Sequence, residues 1–309
     1  YIAWGIGAFL IAAWGVLRGN WWHALMLNQA ALATQVRLLR DDLLAKEYMF
    51  PNSDWIYRPL WTYEVEAKEA KLNFYLYSTN CELFQHSKTP ADLNYGWQAN
   101  NWPRYLVWDN YQADFIQRAV GDSSDIQQVG PIWFSTSAKE MPKLNGQCIA
   151  VFDVTPVRSS FYQIFSADFD YYIPEVCLSF LQDIQKISDS YCHTMLWKRK
   201  RDIGTRAHPK YRNYTQKLLD CQNVVGVDPE ISAVRVIEAS SLVISMPFTS
   251  TALIARELDK PSCFYDPTGM VYKRDKAAHG IDILCGFEEL ASWVKAKSET
   301  HPVSPKASV

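Results

Sequence analysis

The sequence has almost no net charge: 31 basic and 33 acidic side chains leave a formal −2. Without a whole-chain positive field, nucleic acid is excluded as a main partner. Glycine-rich nucleotide signatures are also missing. Neither G-x-G-x-x-G nor G-x-x-x-x-G-K-[ST] occurs, which argues against dinucleotide-dependent oxidoreductases and P-loop enzymes. The seven cysteines include no C-x-x-C pair and are odd in number. They are expected to be reduced thiols, not a disulfide framework or a zinc site. The six histidines (His23, His86, His193, His208, His279, His301) are scattered with no H-x-x-x-H spacing, so no metal is expected.

A long membrane-spanning run is absent too. The uncharged stretch from Tyr1 to Leu17 falls short of the roughly 20 residues that cross a bilayer. With no basic residue ahead of it and no small-residue cleavage site, it makes a poor signal peptide. The expectation is a buried strand and helix of a first domain. A peripheral membrane contact is the sharper alternative, because Arg18, Trp21 and Trp22 resemble an interfacial flank.

What is present is a globular composition of 48% apolar and 21% charged residues in 309, enough for two domains. Aromatics reach 14%; they suit clefts for flat ligands, although most fill cores. Apolar residues at helical spacing predict an amphipathic helix over 24–46. Runs of β-favouring residues at 72–80, 104–109 and 129–135 alternate with polar turns, and a helix is predicted over 110–120. The polar stretch 135–147 reads as a linker. Strands then recur at 148–156, 193–201, 223–227 and 241–245. Helices are predicted over 174–188, near Ile231 and over STALIAREL, ahead of the strand PSCFYDP. Alternation of this kind predicts parallel α/β structure. The expected division is an acceptor-side domain over 1–135, a linker over 136–147, a nucleotide-sugar-binding domain over 148–295 and a polar tail over 296–309. Two Rossmann-like domains would face each other across a cleft, with ligands beyond the carboxyl ends of the strands.

Two segments carry the chemistry. In SLVISMPFTSTALIAREL a strand ends at Ser245, and Pro247 turns the chain into Thr249, Ser250 and Thr251 before a helix. Free N–H groups at a helix start bind anions, and the hydroxyls add donors; an ordinary N-cap is the alternative use. In MLWKRKRDIGTRAHPKY, the cations Lys198, Lys200 and Arg201 end a strand, and His208 with Pro209 follows. This basic cluster suits a nucleotide phosphate, and a histidine there can bond phosphate or supply a proton. A solvated basic loop is the plainer alternative.

The segment SSLVISMPFTSTALIARELDKPSCFYDP resembles the donor-binding half of a GT-B glycosyltransferase. Its Pro-Phe-Thr-Ser turn is similar to that of bacterial polysaccharide-biosynthesis proteins named for the motif. His208-Pro209 ahead of a hydroxyl-rich turn resembles CMP-sugar transferases of the sialyl and Kdo type, and the retaining β-Kdo transferases above all. The likeness covers about 148–293; the first 140 residues share only the general layout. It implies transfer of β-Kdo from CMP-β-Kdo to a lipid-linked glycan acceptor in lipopolysaccharide O-antigen or capsule synthesis, in the cytoplasm or at the inner face of the inner membrane. No metal or other cofactor is implied.

Retention through two inversions needs a carboxylate nucleophile and a base for the acceptor. Asp153, at the end of VFDV, is the candidate nucleophile. Glu82, past LNFYLYSTN, is the candidate acid/base, with Asp109 and Asp168 in reserve. Glu238 is the candidate for the ribose hydroxyls, and Arg158 for the Kdo carboxylate or for Asp153. Another GT-B transferase using CMP-sialic acid or a UDP-sugar, or a non-catalytic partner of polysaccharide assembly, remains open from sequence.

Overall fold

In the computed structural model, the residues described are 1–52, 57–78, 82, 95–121, 124–131, 139–144, 146–158, 160, 171–199 and 203–300. They form two compact units. One is Tyr1–Tyr77 with Leu93–Gly130; the other is Ser78–Asp92 with Pro131–Val309.

The first unit begins with two helices, α1 (Ile2–Leu17) and α2 (Trp22–Leu38), followed by β1 (Glu47–Pro51). Next come α3 (Leu60–Glu66), β2 (Lys71–Tyr75), α4 (Tyr95–Gln98), β3 (Arg104–Val107), α5 (Asn110–Val120) and β4 (Asp125–Gln128). The four strands pair in the order β1-β2-β3-β4, every pair parallel. Aromatic rings fill this core. Phe74 lies 5.5 Å from Trp102 and 5.8 Å from Tyr105, centroid to centroid, and Trp97 packs edge-on to Phe115 at 5.1 Å.

Several expectations are corrected here. The helix predicted over 24–46 starts at Trp22 and stops at Leu38, because Leu39 turns to an extended backbone at φ −70°, ψ 147°. Strand β1 went unread, since EYMFP ends in proline and has no alternation to betray it. A strand at Asp125–Gln128 also went unread; as the outermost strand of its sheet it carries polar residues that hide it, and residues 132–135 of the strand expected over 129–135 lie outside the described residues. The start of the chain is not a buried strand and helix. It is α1, whose buried residues are only Ala12 and Gly15, while Ile2, Ile6, Phe9, Leu10, Ile11, Trp14 and Leu17 are each more than half exposed.

The second unit runs β5 (Cys148–Phe152), α6 (Pro174–Ser190), β6 (Thr194–Lys198), α7 (Pro209–Leu219), β7 (Val224–Val227), α8 (Ala233–Glu238) and β8 (Leu242–Ser245). It ends with α9 (Ser250–Glu257), β9 (Ser262–Asp266), β10 (Ile283–Cys285) and α10 (Phe287–Thr300). The sheet order is β10-β9-β8-β5-β6-β7, all parallel. Counting from β5, this is the doubly wound 3-2-1-4-5-6 order. Every residue of β5 is buried, as expected of a central strand covered on both faces. Pro174 and Pro209 each open a helix, where the missing N–H costs nothing. On α6, Cys177, Phe180, Leu181, Ile184 and Ile187 are fully buried, a helical stripe laid on the sheet.

The parallel α/β class is therefore as the sequence predicts. The described cysteines carry no disulfide. No helix among the described residues is long and apolar enough to cross a membrane.

Ile149 is fully buried at the centre of the second sheet. Ile149→Ala is expected to cost about 2–5 kcal/mol, read as a lower urea midpoint with an unchanged m-value.

Candidate functional site

In a doubly wound sheet the order reverses beside the first strand, and the crevice lies beyond the carboxyl ends there. Here that point falls between β5 and β8. Phe152 pairs with Ser245, and the Met246 N–H donates to the Phe152 carbonyl at 2.8 Å. Asp153 and the Pro-Phe-Thr-Ser turn thus leave the sheet side by side.

Asp153 is 4% exposed. Both carboxylate oxygens accept hydrogen bonds: Oδ1 from Trp197 Nε1 at 3.2 Å and Oδ2 from the Tyr211 hydroxyl. Burial pushes its pKa from the ordinary 3.8 up to about 6, against the pull of the Tyr211 and Trp197 bonds and the charge of Arg199. Arg199 lies with its guanidinium 5.2 Å from the Trp197 ring. Trp197 pairs with Val151, and Arg199 follows directly after the last residue of β6. That register is how Arg199 comes to act on Asp153. The sequence reading passed over Arg199 in favour of its neighbours.

The turn after β8 is locally strained. Phe248 adopts a left-handed backbone, φ 61°, which a bulky residue rarely does. Its buried ring packs 5.7 Å from Phe264, and the Tyr172 hydroxyl donates to the Pro247 carbonyl at 2.9 Å. Thr249 is the N-cap residue of α9, but its side chain does not cap the helix. It donates to the Met246 carbonyl at 2.9 Å. Thr251 Oγ1 lies 2.9 Å from Ser245 Oγ and 3.2 Å from Thr249 Oγ1. Ser250 is the first residue of α9, where first-turn N–H groups have no acceptor within the helix.

On the other side of β5, the loop 153–158 is tied to the start of α7. Arg158 N–H donates to the Arg206 carbonyl at 3.0 Å, and His208 N–H to the Pro156 carbonyl at 2.8 Å. His208 is the N-cap residue of α7, and its Nδ1 is buried with no hydrogen-bond partner among the described residues. The carboxyl edge of the second sheet thus collects Asp153, Ser245, Thr249, Ser250, Thr251 and His208, with Arg158 exposed on the loop between.

Other candidates are placed differently. Lys198 ends β6 but is buried, with Nζ donating to the Pro229 carbonyl at 3.0 Å; burial lowers its pKa. Its ammonium braces the β7–α8 loop. Glu238 is the exposed last residue of α8, just before β8 and therefore at the amino edge of the sheet. That position does not suit the ribose role. Asp109 is the N-cap of α5, accepting from the Tyr111 and Gln112 N–H groups at 3.1 Å each. Lys200, Arg201 and Asp168 lie outside the described residues. Glu82 is half-buried, with its neighbours on both sides outside them. No group of three or more His, Cys, Asp or Glu side chains that could hold a metal occurs among the described residues. Asp168-Phe169-Asp170, a D-x-D spacing that runs against the metal-free expectation, also lies outside them.

The folded state binds a proton on Asp153 more tightly than the unfolded chain does. Stability from this group is full below about pH 4 and lost as pH rises through about 6. Asp153→Asn is expected to remove that decline, a difference approaching 3 kcal/mol at ~1.4 kcal/mol per pKa unit. Urea unfolding of both proteins from pH 4 to pH 7 checks it.

A family model described as polysaccharide biosynthesis PFTS motif protein matches residues 4–294. No curated protein matches the chain. Similar solved structures include the Methanocaldococcus jannaschii UDP-GlcNAc 2-epimerase in complex with UDP-GlcNAc and UDP, at 8% identity and TM-score 0.49, covering 88% of this chain and 74% of that one. Another contains accessory secretory proteins 1, 2 and 3 of Streptococcus pneumoniae, at 10% identity and TM-score 0.44, covering 88% and 49%. A third is the GtfA/B complex bound to UDP and GlcNAc, at 11% identity and TM-score 0.29, covering 85% and 55%.

Proposed function

The chain belongs to the PFTS-motif family of polysaccharide-biosynthesis proteins, and we propose that it is a glycosyltransferase of GT-B type. It transfers β-Kdo from CMP-β-Kdo to a glycan acceptor with retention, in building lipopolysaccharide O-antigen or capsule. One observation carries the reading. At the switch point of the second sheet, a hydroxyl turn at a helix start stands on one side of Asp153, and His208, whose buried Nδ1 has no hydrogen-bond partner among the described residues, is tied to the other.

The CMP phosphate takes the α9 N-terminus, with Thr249, Ser250 and Thr251 as side-chain donors. For those hydroxyls to serve it, their mutual hydrogen bonds must be exchanged for the ligand. His208 supplies a further donor to the phosphate. Arg199 and Arg158 supply positive charge for the phosphate and the Kdo carboxylate, with Lys200 and Arg201 reinforcing it.

Asp153 is the nucleophile. Its carboxylate bonds to the anomeric carbon as the bond from that carbon to the phosphate oxygen breaks, and CMP leaves as the anion. The Tyr211 or Trp197 hydrogen bond must be released at this step. Above about pH 6 the carboxylate is ionised and able to attack. Glu82 then removes the acceptor hydroxyl proton, and that oxygen displaces the Asp153 carboxylate.

CMP is expected to raise the melting temperature, and UDP and GDP to leave it unchanged. Stabilisation by UDP alone overturns the CMP-sugar assignment. His208→Ala is expected to weaken CMP binding by about 1.5–3 kcal/mol, measured by titration calorimetry; unchanged affinity removes His208 from the donor site. Asp153→Ala is expected to abolish transfer while CMP still binds. Intact-mass measurement of the wild type with donor and no acceptor is expected to show a Kdo-sized covalent increment, absent in the variant. Full transfer by Asp153→Ala removes Asp153 from the chemistry, and CMP binding without transfer by the wild type supports a non-catalytic assembly role.

A further inference from the structure

We infer that α1 is a lipid-binding element that lies in the plane of an anionic membrane surface and immerses its outer side in one leaflet. The helix carries no charge over its 16 residues. At about 100° per residue, the exposed side chains from Phe9 round through Ile2, Leu10 and Trp14 to Ile11 sweep an arc of roughly 200°. A helix docked on a protein core commonly presents a stripe about half as wide. A protein interface would also carry a polar rim, and no polar side chain interrupts this arc.

The packing fixes which way the arc faces. The Tyr1 hydroxyl donates to the Ala31 carbonyl of α2 at 3.4 Å, so α1 lies along α2 and not end-on to it. The two meet at a small residue of α1: a Cβ on Gly15 would sit 3.2 Å from the His23 Nδ1 of α2. The other side of α2 packs on α3. The helix α1 is therefore an outer layer that presents its flank, the geometry of an interfacial helix.

Charge and anchors agree with a lipid occupant. Residues 1–40 contain Arg18, Arg37 and Arg40 and no acid. Arg37 and Arg40 pair with Glu64 and Asp42. Arg18 stacks at 4.6 Å on Trp14, placing its charge where a headgroup phosphate would lie. Trp21 and Trp22 are exposed beside it, the residues that favour the membrane–water boundary.

The test is flotation of the full chain with phosphatidylglycerol-containing and with pure phosphatidylcholine vesicles. Binding is expected to the first, weakening with salt. Ile6→Asp/Leu10→Asp is expected to reduce it by about tenfold or more, with an unchanged circular dichroism spectrum. Independently of that variant, brominated lipid is expected to quench wild-type tryptophan fluorescence, and Trp14→Phe to lose part of the quenching. No flotation and no quenching overturn the proposal. So does a discrete lipid-free dimer, dissolved by the same substitutions and indifferent to vesicles, which would make the arc a contact between two copies.

Discussion

A carboxylate held in a dry interior constrains the whole carboxyl edge of the second unit. Asp153 has almost no contact with water, and an isolated buried charge is costly. Three elements offset that cost: the indole of Trp197 on β6, the phenol of Tyr211 on α7, and the charge of Arg199. The requirement runs both ways. Tyr211 and Trp197 are themselves buried, and each needs an acceptor for its polar hydrogen. One acid therefore fixes the position of β6, the start of α7 and the loop that leaves β5. Because α7 begins at His208-Pro209, the same bonds settle where that imidazole stands. Positioning and reactivity are thus in tension at this residue: what locks the carboxylate also shields it.

The Pro-Phe-Thr-Ser turn shows a second tension. A phenylalanine in left-handed backbone costs of order 1–3 kcal/mol and persists only where its surroundings dictate it. Phe248 is held by Phe264 on β9 and through the hydrogen bond from Tyr172 to the neighbouring Pro247 carbonyl. The result is a sharp exit from β8 that brings Ser245, Thr249 and Thr251 within hydrogen-bond range of one another. A glycine would make the turn without strain, but it would leave the ring's place empty. The motif pairs a turn that proline starts with a side chain that packing pins.

How much of this was legible depends on what each signal measures. Strands β5, β6, β8 and β9 were readable because central parallel strands are continuous apolar runs, and helix α5 because its apolar residues recur at helical spacing. Pro247 and the three hydroxyls marked the turn without the structure. The placement of Glu238 was not legible: whether a helix residue reaches the carboxyl or the amino edge depends on where the helix ends, and α8 is only six residues long. The part played by Arg199 needed the strand register. That of Tyr211 needed the path of α7, which puts it 58 residues from its partner in sequence. Asp109 was ambiguous because a carboxylate after a strand caps a helix as readily as it serves chemistry.

The first unit inverts the usual rule for a helix at its start. In most amphipathic helices the large apolar residues face the protein and small or polar ones face outward. In α1 the residues turned inward are Ala12 and Gly15, and the phenylalanine, leucines, isoleucines and Trp14 point away. Composition could not reveal this, because an uncharged apolar run reads the same whichever side is covered. Periodicity could not reveal it either, since a helix that is apolar all round has no polar face to orient it. Only the packing of α1 on α2 distinguishes the sides, and it does so through steric fit: Gly15 leaves room for the turn at Asn20 and for His23 of α2, and that approach turns Ile2, Ile6, Phe9, Leu10, Ile11, Trp14 and Leu17 outward while Trp4 and Val16 stay half-buried.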